Sequence, residues 1–216
     1  MSASPSHSVV RGLYAVTPDA IDTSALVAQV HAAVSGGVRV VQYRNKQATP
    51  DTRSAQARAL KAVCDRFGAA LIINDHVDLA AEVDAAGVHI GAADGEISAA
   101  RRVLGADKLI GVSCYNQLEL ARSAIAGGAD YIAFGSFFAS SIKPGAVHAP
   151  LALLTRARRE LSVPIVAIGG ITIDNASDLI NAGADAVAVI SALFHASDIA
   201  AAARAFNAQF DIRSAG

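Results

Sequence analysis

Short apolar runs recur along the chain at Val9 to Val16, Val38 to Gln42, Ala70 to Ile73, Val88 to Ile90, Leu109 to Val112, Tyr131 to Phe134, Pro164 to Ile168 and Ala186 to Ile190. Their length and their Val and Ile content predict strands buried on both faces. The stretches between them carry a helical period instead: Leu26, Val27, Val30 and Val34 after the first run, Leu60, Val63, Cys64 and Phe67 after the second, then Leu118, Ala121 and Ile125, and later Leu179 and Ile180. Strand followed by helix, repeated eight times, predicts an α/β protein of parallel βαβ units, a pattern that suits a closed (β/α)8 barrel.

Punctuation supports the repeat. Ser35-Gly36-Gly37-Val38, Ala86-Gly87-Val88, Gly127-Gly128-Ala129-Asp130 and Ala182-Gly183-Ala184-Asp185 each stand just before a strand. Each reads as a helix stopped by a left-handed glycine cap. Ser24, Thr49 and Thr172 occupy expected N-cap positions. No linker divides the chain, so one TIM-barrel catalytic domain is expected over residues 9–210, with a flexible tail at 1–8 and a short C-terminal tail at 211–216.

Composition narrows the class. The chain has 216 residues, 53% of them hydrophobic and only 5% aromatic, with no Trp, so its core must be built from aliphatic side chains. A formal net charge of -1 argues against general nucleic-acid binding and against electrostatic attachment to membranes. Cys64 and Cys114 lie far apart with no CxxC, which points to a reducing compartment and two small core residues. Without an apolar leader or a membrane-length run, a cytoplasmic location is expected. Association into a homo-oligomer is left open.

The chemistry collects where strands end. Val40 to Lys46 reads VVQYRNK, an apolar run that stops in Gln42, Arg44 and Lys46, which alternation places on one side. Arginine offers a planar donor fork and lysine a mobile point charge, so the partner such a set suits is an anion. The third run ends in Asn74 and Asp75, the fourth carries His89 with Asp94 just beyond, and the fifth ends in Ser113. Lys143 follows the sixth, in a Ser-, Gly- and Pro-rich stretch from Gly135 to Pro150 that suits an active-site lid. Asp75 and Asp94 beside cations suit Mg²⁺ shared with a phosphorylated substrate, although Asp75 is equally placed to cap the helix starting near His76. Gly169 and Gly170 end the seventh run and Ser191 the eighth, where backbone N–H groups would cradle a monophosphate. His89, inside a strand, reads as a satisfied wall residue or an acid/base group.

In order along the chain, QYRNK, NDH, GVHIG followed by Asp94, GVSC, YIAFGSFF with Lys143, AIGGI and VAVISALF resemble thiamine-phosphate synthase over roughly residues 12 to 206. The resemblance implies a (β/α)8 transferase that joins a hydroxymethylpyrimidine diphosphate to a thiazole phosphate, or its carboxylate, giving thiamine monophosphate and pyrophosphate. It further implies that Arg44, Lys46, Asn74 and Lys143 hold the diphosphate and that Asp75 and Asp94 hold Mg²⁺. Gln42 and Ser113 would lie along the pyrimidine and diphosphate, and Gly169, Ile190 and Ser191 would cradle the thiazole phosphate.

The strand 6 loop departs from the family pattern G-P-x-x-P-T-x-T-K. It keeps Lys143 and offers Ser140 for one hydroxyl, but places Ile142 where a second threonine is frequent. Asn45, commonly Glu in the family, is expected to face away from the site with little effect. A thiazole tautomerase on the same fold would not need the full diphosphate cluster, a non-catalytic thiamine phosphate sensor would bind without turnover, and a phosphosugar isomerase would leave the strand 2 cations idle.

Overall fold

Eight parallel strands close on themselves in chain order, with β8 returning to pair with β1. The computed structural model describes residues 9–91, 96–139 and 148–214. The strands are β1 (Gly12–Val16), β2 (Val40–Tyr43), β3 (Ala70–Asn74), β4 (Gly87–Ile90), β5 (Leu109–Tyr115), β6 (Tyr131–Gly135), β7 (Ile165–Ile168) and β8 (Ala186–Val189). Helices return the chain from each strand to the next: α1 (Thr23–Ser35), α2 (Pro50–Phe67), α3 (Val77–Glu82), α4 (Glu96–Leu104), α5 (Leu118–Ala126), α6 (Leu151–Glu160) and α7 (Ile173–Ala182). The short α8 (Ser191–Phe194) and the long α9 (Ile199–Ser214) follow β8. This is the (β/α)8 barrel that the apolar cadence predicts.

Alternation divides the core in two. Leu13, Ala15, Val41 and Ile73 point outward and pack with the helices, whereas Tyr14, Val16, Val40, Ile72, Tyr131 and Val166 fill the barrel. Few aromatic residues enter the interior, and the chain makes space for them with small ones. A Cβ on Gly111 would fall 2.0 Å from Cζ of Tyr131, so the glycine in β5 is what admits that ring.

At the N-terminal ends of the strands the same device appears twice. Asp130, just before β6, accepts the N–H of Ile110 in β5 at 2.7 Å and pairs with Arg101 of α4 at 2.6 Å. Asp185, just before β8, accepts the N–H of Ile165 in β7 at 2.8 Å and pairs with Arg158 of α6 at 2.7 Å. Each carboxylate thus pins its strand to the neighbouring one and to a helix. Asn207 of α9 adds a third tie here, accepting from Leu13 N at 3.0 Å and donating to the Gly37 carbonyl at 3.0 Å.

Several local expectations change. Regular pairing in β1 starts at Gly12, with the buried Val10 closing the barrel floor instead of entering the ladder. The cap of α1 is Asp22, whose side chain accepts from Ser24 and Ala25, so Ser24 lies inside the helix. Thr49 does cap α2, with Pro50 at the first helical position. Thr172 is the N-cap of α7 as expected, and Asn175 at the third helical position accepts its N–H at 2.9 Å in a capping box. Gly37, Gly128 and Gly183 have the expected positive φ, but Gly87 does not: it is the first residue of β4, where a Cβ would meet the Leu109 carbonyl oxygen at 2.0 Å. β5 runs three residues past Val112, through an irregularity between Ser113 and Tyr115. Phe67 is 39% exposed and packs edge-on against His31.

Candidate active site

The C-terminal strand ends surround one mouth of the barrel, and a chain of polar side chains forms its floor. Gln42, 5% exposed, donates from Nε2 to the Tyr14 hydroxyl at 3.1 Å. That hydroxyl lies 2.8 Å from the Tyr131 hydroxyl, which lies 3.2 Å from His89 Nδ1. His89 Nε2 in turn lies 2.9 Å from Ser113 Oγ. Burial pushes both phenols above their ordinary range and pulls His89 down from 6.5 to about 4, so the whole chain is neutral. With Gln42 donating to Tyr14, the order that leaves no hydroxyl proton unplaced runs from Tyr14 to Tyr131 to Nδ1 of His89. Nε2–H then donates to Ser113, whose own proton is left for the mouth. His89 is therefore the satisfied wall residue of the two readings, bonded at both nitrogens.

Above this floor β2 delivers its cations. Gln42 is the last inward residue of the strand, Arg44 is partly enclosed, and Lys46 is exposed beyond the strand end. Asn45 turns away as expected, yet it is not inert. Its Nδ2 donates to the Ala20 carbonyl at 2.6 Å and to Gln56 Oε1 at 3.0 Å, and Gln56 also accepts from Tyr43 OH at 2.7 Å. A buried network behind the strand thereby fixes which way Arg44 and Lys46 face.

Asp75 stands at the end of β3 with φ 63, a left-handed conformation that costs a non-glycine residue strain. Its N–H donates to the His89 carbonyl at 2.9 Å, and its Oδ2 accepts from Asn74 Nδ2 at 2.7 Å. The alternative of a helix cap is set aside: His76 holds that position in α3 and makes no side-chain cap bond. The exposed carboxylate has Asn74 as its one side-chain donor among the described residues, so oxygen lone pairs remain for a hard cation. Among the described residues no cluster of three or more His, Cys, Asp or Glu side chains would hold a metal unaided. A site at Asp75 would therefore need oxygen atoms from beyond the described side chains, such as water or a bound phosphate. A cavity of about 30 Å³, room for one water, lies between Lys46, Arg53, Asn74, Asp75 and His76.

Across the mouth, Gly169 and Gly170 follow β7 with φ of 109 and 62. A Cβ on Gly169 would fall 2.0 Å from Ser136 Oγ, and one on Gly170 would fall 2.3 Å from the Ala139 carbonyl oxygen. The glycines thus accept the loop leaving β6, where Phe138 N donates to the Gly169 carbonyl at 3.0 Å. Ile190 and Ser191 start α8 beside them, with Ser191 at the first helical position. Asp94, Ser140, Ile142 and Lys143 lie outside the described residues, as does half of the expected lid. Its described ends meet where Ala149 N donates to the Ser136 carbonyl at 2.7 Å.

The structure brings Gln42 and Ser113 onto one hydrogen-bonded chain and puts Asn74 against Asp75. It also adds residues that the strand-end inventory missed: Tyr14 and Tyr131 in the floor, and Thr17 and Asp19 against β2. The two tyrosines had a signal, being polar-tipped rings at inward positions of otherwise aliphatic runs. Thr17 and Asp19 had none, because their contacts join loops 27 residues apart.

A family model described as thiamine monophosphate synthase matches residues 13–193. The chain belongs to that family. It is 57% identical over 202 residues to the thiamine-phosphate synthase of Methylobacillus flagellatus, spanning 94% of this chain and 96% of the relative. Identity with the synthase of an Azoarcus species is 55% over 201 residues, spanning 93% and 98%. Among solved structures, the thiamine phosphate pyrophosphorylase of Pyrococcus furiosus superposes with a TM-score of 0.82 at 32% identity, covering 93% of this chain and 96% of that one.

Proposed function

We propose that the chain is a thiamine-phosphate synthase. It would join 4-amino-2-methyl-5-hydroxymethylpyrimidine diphosphate to 4-methyl-5-(2-phosphoethyl)thiazole and release pyrophosphate, or to the thiazole's carboxylate and release carbon dioxide as well. The observation that supports this reading is the make-up of one rim: cations at the end of β2 beside Asn74 and Asp75, and across from them the positive-φ glycines Gly169 and Gly170 beside the start of α8, two groupings that would suit two anions. An isomerase or a tautomerase needs one phosphate site, whereas a condensation of two phosphorylated partners needs both.

In the proposed reaction the methylene–oxygen bond of the pyrimidine diphosphate breaks and its electron pair leaves with pyrophosphate. The lone pair of the thiazole nitrogen then forms the new carbon–nitrogen bond to the pyrimidine methylene cation. No protein nucleophile takes part, which agrees with a floor made only of neutral groups. Arg44, Lys46, Asn74 and Lys143 would take up the negative charge that grows on the departing pyrophosphate. Asp75 and Asp94 would hold Mg²⁺, which when bound neutralises diphosphate charge. Gln42 and Ser113, oriented by the chain through Tyr14, Tyr131 and His89, would set the pyrimidine plane. Gly169, Ile190 and Ser191, with Ser140, would hold the thiazole phosphate so that its nitrogen faces the reacting carbon. The stretch from Gly135 to Pro150 would exclude water, which otherwise captures the cation.

Residues 9–210 serve as the catalytic unit in this reading. A reducing cytoplasm suits the two buried thiols, Cys64 and Cys114, each pushed up to about 12 by burial. Among the described residues no helix is long and apolar enough to cross a membrane. The test is pyrophosphate release from purified protein given both substrates and Mg²⁺, with each component omitted in turn. Release coupled to thiamine monophosphate and abolished without Mg²⁺ is expected; thiazole phosphate binding with no product would overturn the proposal.

A further inference from the structure

The loop leaving β1 grips the end of β2 at successive points. Thr17, fully buried, accepts the Arg44 N–H at 2.9 Å and donates to the Arg44 carbonyl at 3.0 Å, so the peptide on each side of Arg44 is held and neither can turn without losing its bond. Two residues further along, the Oδ1 of Asp19 accepts the Lys46 N–H at 2.8 Å and stands 3.6 Å from Nη1 of Arg44. A single carboxylate oxygen thereby ties the backbone of one cation to the side chain of the other.

The distances separate two roles. At 2.8 Å the Lys46 contact is a full charge-assisted hydrogen bond, which fixes where the lysine stem begins. At 3.6 Å the Arg44 contact is an ion pair without direct donation, so the guanidinium is aligned while its donor fork stays open to a ligand. Asp19 is 33% exposed and its charge is screened accordingly, while Arg44 is the more enclosed partner at 17%.

We propose that Asp19 is a positioning residue for the diphosphate, acting through Arg44 and Lys46 and not on the substrate itself. The inference rests on the reading of those two cations as diphosphate ligands. Long cationic side chains lose much rotamer freedom when a ligand orders them, and a carboxylate that orders them beforehand lowers that cost. The sign of the effect is diagnostic. Charge alone would make an acid beside a diphosphate repulsive, so removing it would tighten binding; positioning predicts the opposite.

The experiment is calorimetric titration of the intact protein with Mg²⁺-pyrophosphate, together with steady-state kinetics for both substrates. Asp19→Ala is expected to raise the Kd for pyrophosphate and the KM for the pyrimidine diphosphate by roughly tenfold, the scale of one lost charge-assisted contact. The KM for the thiazole phosphate should stay within about twofold. Asp19→Asn, which keeps an acceptor for Lys46 N–H, is expected to fall between Asp19→Ala and the parent. In an Arg44→Ala background the Asp19→Ala effect should be smaller than in the parent, because no guanidinium is left to align and only the part through the Lys46 N–H remains.

Unchanged or tighter pyrophosphate binding in Asp19→Ala would overturn the proposal. So would an equal loss in the Arg44→Ala background, or a lower melting temperature with an unchanged Kd. If Arg44→Ala by itself leaves pyrophosphate affinity intact, the diphosphate reading of the β2 end fails, a different result from an inert Asp19 beside an essential Arg44.

Discussion

Nε2 of His89 lies 2.9 Å from Oγ of Ser113, and through that contact the enclosed polar chain of the barrel reaches the rim. Burial holds the imidazole near pKa 4. Ser113 is therefore paired with a group that stays neutral across the physiological range, and the charges at the mouth, the cations of β2 and the carboxylate of Asp75 among them, come from other residues.

The same burial predicts an acid limb in stability. Between about pH 6.5 and 4 the unfolded chain binds a proton at His89 that the folded chain refuses. The unfolded state holds more protons there, so stability falls as pH falls, at about 1.4 kcal/mol per pH unit from this group alone, and levels off below its folded pKa. Urea unfolding of the parent and of His89→Gln across that window should show the variant with a shallower slope by that amount. Parallel curves would mean that the ring is not buried neutral.

Asp75 allows strain and chemistry to be separated. A glycine relieves the left-handed backbone at φ 63 but adds freedom to the unfolded chain, and the two effects nearly offset. Asp75→Gly should therefore stay within about 1 kcal/mol of the parent in urea unfolding. Its turnover with saturating Mg²⁺ should drop by on the order of a hundredfold if the carboxylate serves the diphosphate. A helix-capping residue would give the reverse, lower stability with activity kept.

At the other side of the mouth, Gly169→Ala sets a Cβ 2.0 Å from Ser136 Oγ at a φ of 109. A loss of roughly 1–3 kcal/mol is expected, with the KM for the thiazole phosphate rising far more than that for the pyrimidine diphosphate. Gly68→Ala is the matched control, because it also has a positive φ but nothing within 4 Å. It should cost about 1 kcal/mol and leave both KM values alone.

Asp130→Ala and Asp185→Ala each remove an arginine's carboxylate partner and leave a strand N–H without its acceptor, while Arg101 and Arg158 keep their bonds to backbone carbonyls. Each should cost about 1–3 kcal/mol in chemical denaturation, roughly additively because they serve different barrel units, with kcat/KM within about twofold of the parent. A large fall in activity at full folding would show that these residues reach the site.

Much of the architecture was legible because buried parallel strands advertise themselves: all eight apolar runs contain strands, and the described polar residues that follow them stand at one mouth. What stayed hidden depends on pairs distant in the chain. Ser24 looked like a cap, but the carboxylate of Asp22 reaches the N–H groups of Ser24 and Ala25 and takes that place. Gly87 looked like a helix stop because glycine serves turns so often; its real constraint is the Leu109 carbonyl in the next strand, which nothing local announces. Asn45 read as a neutral replacement, and its role became visible only once Gln56 and the Ala20 carbonyl were beside it.

The two carboxylate clamps and the Asn207 tie all sit at the end of the barrel away from the mouth. Mechanical integrity and chemistry therefore draw on separate sets of residues. A lineage, or an engineer, exploring new substrates can rewrite the loops at one end while the other continues to hold the staves together. In the same way, wear at the clamped end would show up as a shorter lifetime of the protein and not as a change in what it makes.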